Sequence, residues 1–142
     1  MCDQRLWKAC IQYLPDINLE DGGVVRFVLD VCTVLSELGV NVTLLTQNAT
    51  DVPSEWFGDN NLPNVYVIKG KRLPGGLIRK ESFAGIVNLF SPKTVLHLHV
   101  PWLLSNLQIA KLAKSNNIPY VITPHGSLDT WSMAQKSFKK LV

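Results

Sequence analysis

The sequence predicts an α/β fold: a Rossmann-like doubly wound parallel sheet of strand order 3-2-1-4-5, incomplete at its carboxyl end. Two observations lead there. Short runs rich in β-branched residues alternate with stretches whose apolar residues recur at helical spacing, which is the rhythm of βαβ units. The 142 residues are 46% hydrophobic and 18% charged, with no internal repeat and no low-complexity stretch, so disordered, collagenous and coiled-coil architectures are set aside. The strand order follows by analogy with other doubly wound sheets.

Residues 9–14 read as the first strand and residues 16–23 as a loop. From there Val24, Phe27, Val28, Val31, Val34, Leu35 and Leu38 recur at helical spacing, and Gly39 suits the left-handed position that ends a helix. Residues 41–46 form the second strand and 65–68 a short third, separated by a long polar loop over 47–64. A loop over 70–77 leads to a modest helix near 81–89, and residues 94–99 form the fourth strand. The next helix covers 103–113, with Leu103, Leu104, Leu107, Ala110, Leu112 and Ala113 as its inward side. Residues 120–123 are the fifth strand. Asp129 then suits the N-cap of a last helix in which Trp131, Ala134, Phe138 and Leu141 share a face. That pattern runs to Val142 without a cap, so residues 1–142 read as one domain that is incomplete relative to its architecture.

No run approaches the roughly 20 apolar residues of a membrane span; the most apolar stretch, residues 24–35, contains Arg26 and Asp30. No apolar leader follows Met1. Cys2, Cys10 and Cys32 are odd in number and lack CxxC spacing, which sets aside a disulfide framework and a zinc knuckle and points to a reducing, cytoplasmic setting. The net charge of +3 is unevenly spread. Residues 1–60 hold three basic and nine acidic side chains, whereas residues 61–142 hold eleven basic and two acidic. Lys69, Lys71, Arg72, Arg79 and Lys80 follow one another with no acid between Asp59 and Glu81. This stretch is either a solvated loop or a contact for anionic lipid headgroups, a phosphorylated substrate or nucleic acid. Nucleic acid is the weakest of these, since no recognition helix or aromatic ladder accompanies the charge.

In the expected strand order the first and fourth strands flank the topological switch point, where ligands bind beyond the carboxyl ends of strands. Three loops converge there: Asp21-Gly22-Gly23, His99-Val100-Pro101-Trp102 and Pro124-His125-Gly126-Ser127. Gly22 and Gly23 precede a helix, whose first N–H groups favour an anion such as a diphosphate, but the GxGxxG fingerprint is absent. His97 and His99 lie two apart on one strand and so share a face. With His125 they are either zinc ligands or hydrogen-bonded polar groups. His99 is expected to line the crevice, and His125 to exchange protons or hydrogen-bond a substrate.

Residues 19–30 (LEDGGVVRFVLD), 97–102 (HLHVPW) and above all 123–136 (TPHGSLDTWSMAQK) resemble the amino-terminal, acceptor-side domain of glycosyltransferase family 4, retaining enzymes of the GT-B fold. The likeness extends from about Ala9 to Leu141. It implies transfer of a hexosyl-type sugar from a nucleotide-sugar donor to a glycan or lipid-linked acceptor, as in polysaccharide biosynthesis, with neither metal nor cofactor. It further implies that Gly22 and Gly23 face the donor diphosphate and that His125 lies at the reaction centre as a hydrogen-bonding rather than nucleophilic residue. His99 and Trp102 would line the acceptor side, and the loop carrying Lys71 and Arg72 would shape acceptor recognition. A cytoplasmic enzyme with peripheral contact to anionic membrane fits this reading. The nucleotide-binding carboxyl-terminal domain of such an enzyme is not contained in these 142 residues, so the chain alone is expected to be inactive without a separate partner domain. The alternatives are a non-catalytic Rossmann-like binding module and a metal-dependent hydrolase built on His97, His99 and His125.

Overall fold

The computed structural model describes residues 7–58 and 61–126. Five parallel strands form one sheet: β1 (Ala9–Tyr13), β2 (Asn41–Thr46), β3 (Asn64–Val67), β4 (Thr94–His99) and β5 (Tyr120–Thr123). Their order is β3-β2-β1-β4-β5, which is the order expected, and β1 stands at the centre between β2 and β4. Helix α1 (Gly23–Glu37) follows β1, the single-turn helix α2 (Phe83–Val87) precedes β4, and α3 (Leu104–Ser115) joins β4 to β5. The expected last helix lies outside the described residues.

The two faces of the sheet carry separate cores, because successive strand residues point to opposite sides. Ile11, Tyr13, Leu45, Leu96 and Leu98 pack with Ile86, Ile109 and Ala113 on the side of α2 and α3. Val42 and Leu44 pack with Val25, Val28, Leu29 and Cys32 of α1 and with Trp56 on the other side. Nearer β4, this second face turns polar, with Gln12, His97 and His99.

Both long helices end as their sequences dictate. Gly39 takes φ 83°; its N–H bonds the Ser36 carbonyl, and the Val40 N–H reaches back to Leu35. Asn117, at φ 57°, does the same after α3, where the Ile118 N–H bonds the Ala113 carbonyl at 2.8 Å. In each case a left-handed residue lets the chain fold back and satisfy the last carbonyls.

The inward faces differ from expectation. In α1 the stripe Val25, Val28, Leu29 and Cys32 is buried, whereas Phe27, Val34 and Leu38 are exposed. Apolar residues fill enough of this helix for two overlapping stripes to satisfy the same period, and contact with Val42, Leu44 and Trp56 selects between them. In α3, Leu104 and Leu107 are exposed while Ser105, Asn106, Ile109 and Ala113 are buried. Two polar side chains go inside and find donors or acceptors there, although Asn106 Oδ1 is buried without a partner among the described residues. Ser105 Oγ accepts from the Tyr13 hydroxyl at 2.8 Å, and Asn106 donates to the carbonyls of His99 and Val100. The modest helix expected over 81–89 is shorter than its pattern, with a 3₁₀ turn (Lys80–Ser82) leading into α2.

Candidate functional site

Beyond the carboxyl ends of β1 and β4 the structure opens a cleft of about 200 Å³, lined by Pro15, Asp16, Asp21, Val24, Val100 and Leu103. This is the switch point anticipated from the strand order. Asn18 begins the turn before α1: its side-chain oxygen accepts from the Glu20 N–H at 3.0 Å, and the turn ends at Gly22. Gly22 has φ 101° and ψ −158°, a conformation open essentially to glycine alone, although a Cβ there would meet nothing. Backbone shape rather than space demands this glycine, and it aims the first turn of α1 toward the cleft. Among the described residues no side chain caps the amino terminus of α1 or of α3. The cleft's own charges, Asp16 and Asp21, are acidic.

Beside the cleft, three histidines meet. His97 and His99 share the face of β4 that looks toward α1, their ring centroids 4.0 Å apart. His125 follows β5 with φ 49°, and its Nε2 lies 2.8 Å from His99 Nδ1. On its other side His99 Nε2 is 2.7 Å from Gln12 Oε1. His97 Nε2 is 2.7 Å from the Thr123 hydroxyl. Phe27 of α1 sets its ring edgewise against His125, centroids 4.9 Å apart, and also contacts His99 at 6.0 Å. His99 therefore uses both ring nitrogens on protein partners. His99 links Gln12 to His125 in one hydrogen-bonded chain, while His97 bonds Thr123 beside it.

His99 was expected to line the crevice; instead it has no exposed surface, and its hydrogen-bond partner His125 is partly exposed. Strand β4 is covered on both sides at this point, and Gln12 and Phe27 close over the ring. Trp102 is 37% exposed in the loop after β4. Lys71 is exposed, and its carbonyl accepts from Arg79 Nε at 2.9 Å. Arg72 is committed elsewhere: its guanidinium forks onto both Asp16 oxygens, at 2.6 and 3.0 Å, and donates to the Pro15 carbonyl at 2.8 Å. Such a bidentate pair pins the loop over 70–77 to the end of β1, and so sets one wall beside the cleft.

Gln12 and Phe27 are site residues that the sequence reading did not single out. A glutamine inside an apolar strand was the available signal for the first, since a buried polar side chain is the informative exception. Phe27 fitted the helical stripe and so gave no signal of its own.

Burial drives the histidines toward the neutral form. His99 is pushed down to about 3, first by burial and then by the neighbouring His97 and His125. His97 is lowered by burial and by His125, and His125 by burial. Since an unfolded histidine titrates near 6.5, the unfolded chain binds more protons than the folded one below that value. Stability from this group is thus complete above pH 6.5 and is lost as pH falls toward 3. For His99 alone the loss between pH 7 and pH 5 amounts to about 2 kcal/mol. Urea unfolding at the two pH values should show it, with a flatter response in His99→Gln; equal stability of the parent at both would refute the assignment.

No helix among the described residues is long and apolar enough to cross a membrane. The family model for Glycosyltransferase Family 4 matches residues 21–142. Comparison with the curated proteins and with the solved structures gives no match.

Proposed function

The chain belongs to glycosyltransferase family 4, and from that premise we propose that it is the acceptor-side half of a retaining enzyme that moves sugar from a nucleotide-sugar donor to a glycan or lipid-linked acceptor. The observation that carries the proposal is the His99–His125 pair at the carboxyl edge of the sheet, beside the cleft between β1 and β4. His125 is partly exposed and backed by a buried partner, so it can offer a fixed imidazole to a reacting hydroxyl or phosphate oxygen. Gly22 and Gly23 bring the uncapped start of α1 to the same cleft, where a diphosphate would meet backbone N–H groups.

The electrostatics support a two-part enzyme. Asp16 and Asp21 line the cleft, and the Arg72 guanidinium beside it is already paired with Asp16. A leaving diphosphate needs countercharge, and these residues do not supply it. We assign that role to a second, nucleotide-binding domain. On the acceptor side we place Trp102 and the basic loop. Lys69, Arg79 and one acid, Glu81, line a depression of about 350 Å³ with Tyr66 and Ser82; its two cations against one carboxylate favour an anionic group of the acceptor or the headgroups of an anionic membrane.

The test is product formation from a panel of nucleotide sugars and acceptors, by the 142-residue chain alone and joined to a family 4 nucleotide-binding domain. Transfer is expected only from the joined protein, and Lys69→Gln with Lys71→Gln should raise KM selectively for anionic acceptors. Robust turnover by the chain alone would overturn the two-part reading. Absence of transfer from a folded joined protein across the panel would favour a non-catalytic module.

A further inference from the structure

His99 lies wholly inside the protein, with Nε2 facing Gln12 Oε1 and Nδ1 facing His125 Nε2. Gln12 is also buried, and its amide nitrogen is 3.1 Å from Cys10 Sγ, so both ends of the amide are occupied. A neutral imidazole has one N–H and one lone pair. With the Gln12 oxygen as acceptor, the proton of His99 sits on Nε2. Its Nδ1 is then an acceptor, and His125 must donate to it from Nε2. Among the described residues one ring nitrogen of the pair is left without a partner: Nδ1 of His125.

We propose that Gln12 is a positioning residue that sets the tautomers of both His99 and His125, and so makes Nδ1 of His125 the atom that exchanges a proton with bound substrate. This rests on the placing of His125 at the reacting groups. Proton uptake at that atom leaves the chain of bonds intact, because a doubly protonated His125 still donates from Nε2. The groups around the pair do not disturb this order. His97 faces it from β4, Gln12 and Cys10 from β1, Phe27 from α1, and Thr123 caps His97 from β5. No carboxylate is among the described hydrogen-bond partners of the three rings. Burial keeps the Cys10 thiol protonated and His99 neutral near pH 7.

Nuclear magnetic resonance of the chain labelled with ¹⁵N-histidine tests this directly, since protonated and bare ring nitrogens differ in shift. The protein has three histidines, and His97→Gln assigns the remaining two. The expected spectrum at pH 7 has both His99 and His125 protonated on Nε2. On acidification His125 should gain its proton at Nδ1 while its Nε2 stays nearly unmoved. Gln12→Glu retains an acceptor and should preserve both tautomers while raising the pKa of His99. Gln12→Leu removes the acceptor and should move protons to Nδ1 on both rings. A parent protein with His99 protonated on Nδ1 would mean that the Gln12 amide faces the other way, and would overturn the proposal. So would a Gln12→Leu protein with unchanged tautomers. If Gln12→Leu fails to fold, the parent spectrum and Gln12→Glu decide the question. These spectra need no substrate, so failure of the transferase reading leaves them interpretable, whereas correct tautomers with His125-independent transfer would keep that reading and overturn the proton-exchange role of His125.

Discussion

His125→Ala in the joined enzyme is expected to lower sugar transfer by about 10² to 10³, the range seen when a single hydrogen-bonding group aimed at developing charge is removed. The folding cost is far smaller. His125 is partly exposed, and its truncation removes one described hydrogen bond, that to His99 Nδ1, worth about 1 kcal/mol. Its backbone, at φ 49°, adds a little, since histidine tolerates the left-handed region better than alanine. A residue that merely holds its own loop would behave in the opposite way, lowering the melting temperature while activity follows the folded fraction. The two quantities should therefore be measured on one preparation, by thermal unfolding and by initial transfer rate. A variant that transfers sugar at nearly the parental rate would show that the reacting groups lie elsewhere.

The second large effect is expected at a residue that touches no substrate. Asn106 is 3% exposed and donates from Nδ2 to the carbonyl of His99 at 2.8 Å and to that of Val100 at 2.6 Å. Between them it holds Val100 at φ 62°, an unusual conformation for a β-branched residue. Asn106→Ala leaves these carbonyls without that donor, at a cost of about 2–4 kcal/mol in unfolding free energy. It also frees Val100 to relax, which moves the end of β4 and with it His99. Val100→Gly should recover part of the loss in the double variant, because glycine adopts the positive φ without strain. Urea denaturation of the parent, both single variants and the double variant measures this coupling. A single Asn106→Ala variant within about 0.5 kcal/mol of the parent, the range of an ordinary surface change, would remove the argument.

The asymmetry between these two residues reflects what they are bonded to. His125 ends a chain of partners and is open on one side; Asn106 sits beneath the loop and bonds only backbone. Arg72 falls between them. Its fork onto Asp16 is about one-third exposed on both sides, so it contributes little to stability, yet it fixes where the basic loop stands relative to the cleft.

Much of this architecture was legible in the sequence, because it depends on local patterns. The strands over 41–46, 94–99 and 120–123 fall where their β-branched runs placed them. The stop at Gly39 follows from glycine's access to positive φ, and the order of the five strands is the one carried over by analogy from doubly wound sheets. The loops carrying Gly22, His99 and His125 could be brought together by that order alone. What periodicity leaves open is direction. In α1 and α3 several overlapping stripes satisfy the same spacing, and the stripe that turns inward is selected by the surface it meets, so Phe27 faces the histidines and Ser105 and Asn106 lie beneath β4. Partnership is likewise a tertiary matter. Gln12 and His99 are 87 residues apart, as Arg72 and Asp16 are 56, and no local pattern joins them. A buried polar group must find a partner, but which one it finds depends on strands and loops that fold next to each other from distant parts of the chain. The sequence by itself therefore determined the strands and the loops that follow them, while the tertiary structure decided which side chains partner the histidines and which nitrogen of His125 has no partner among the described residues.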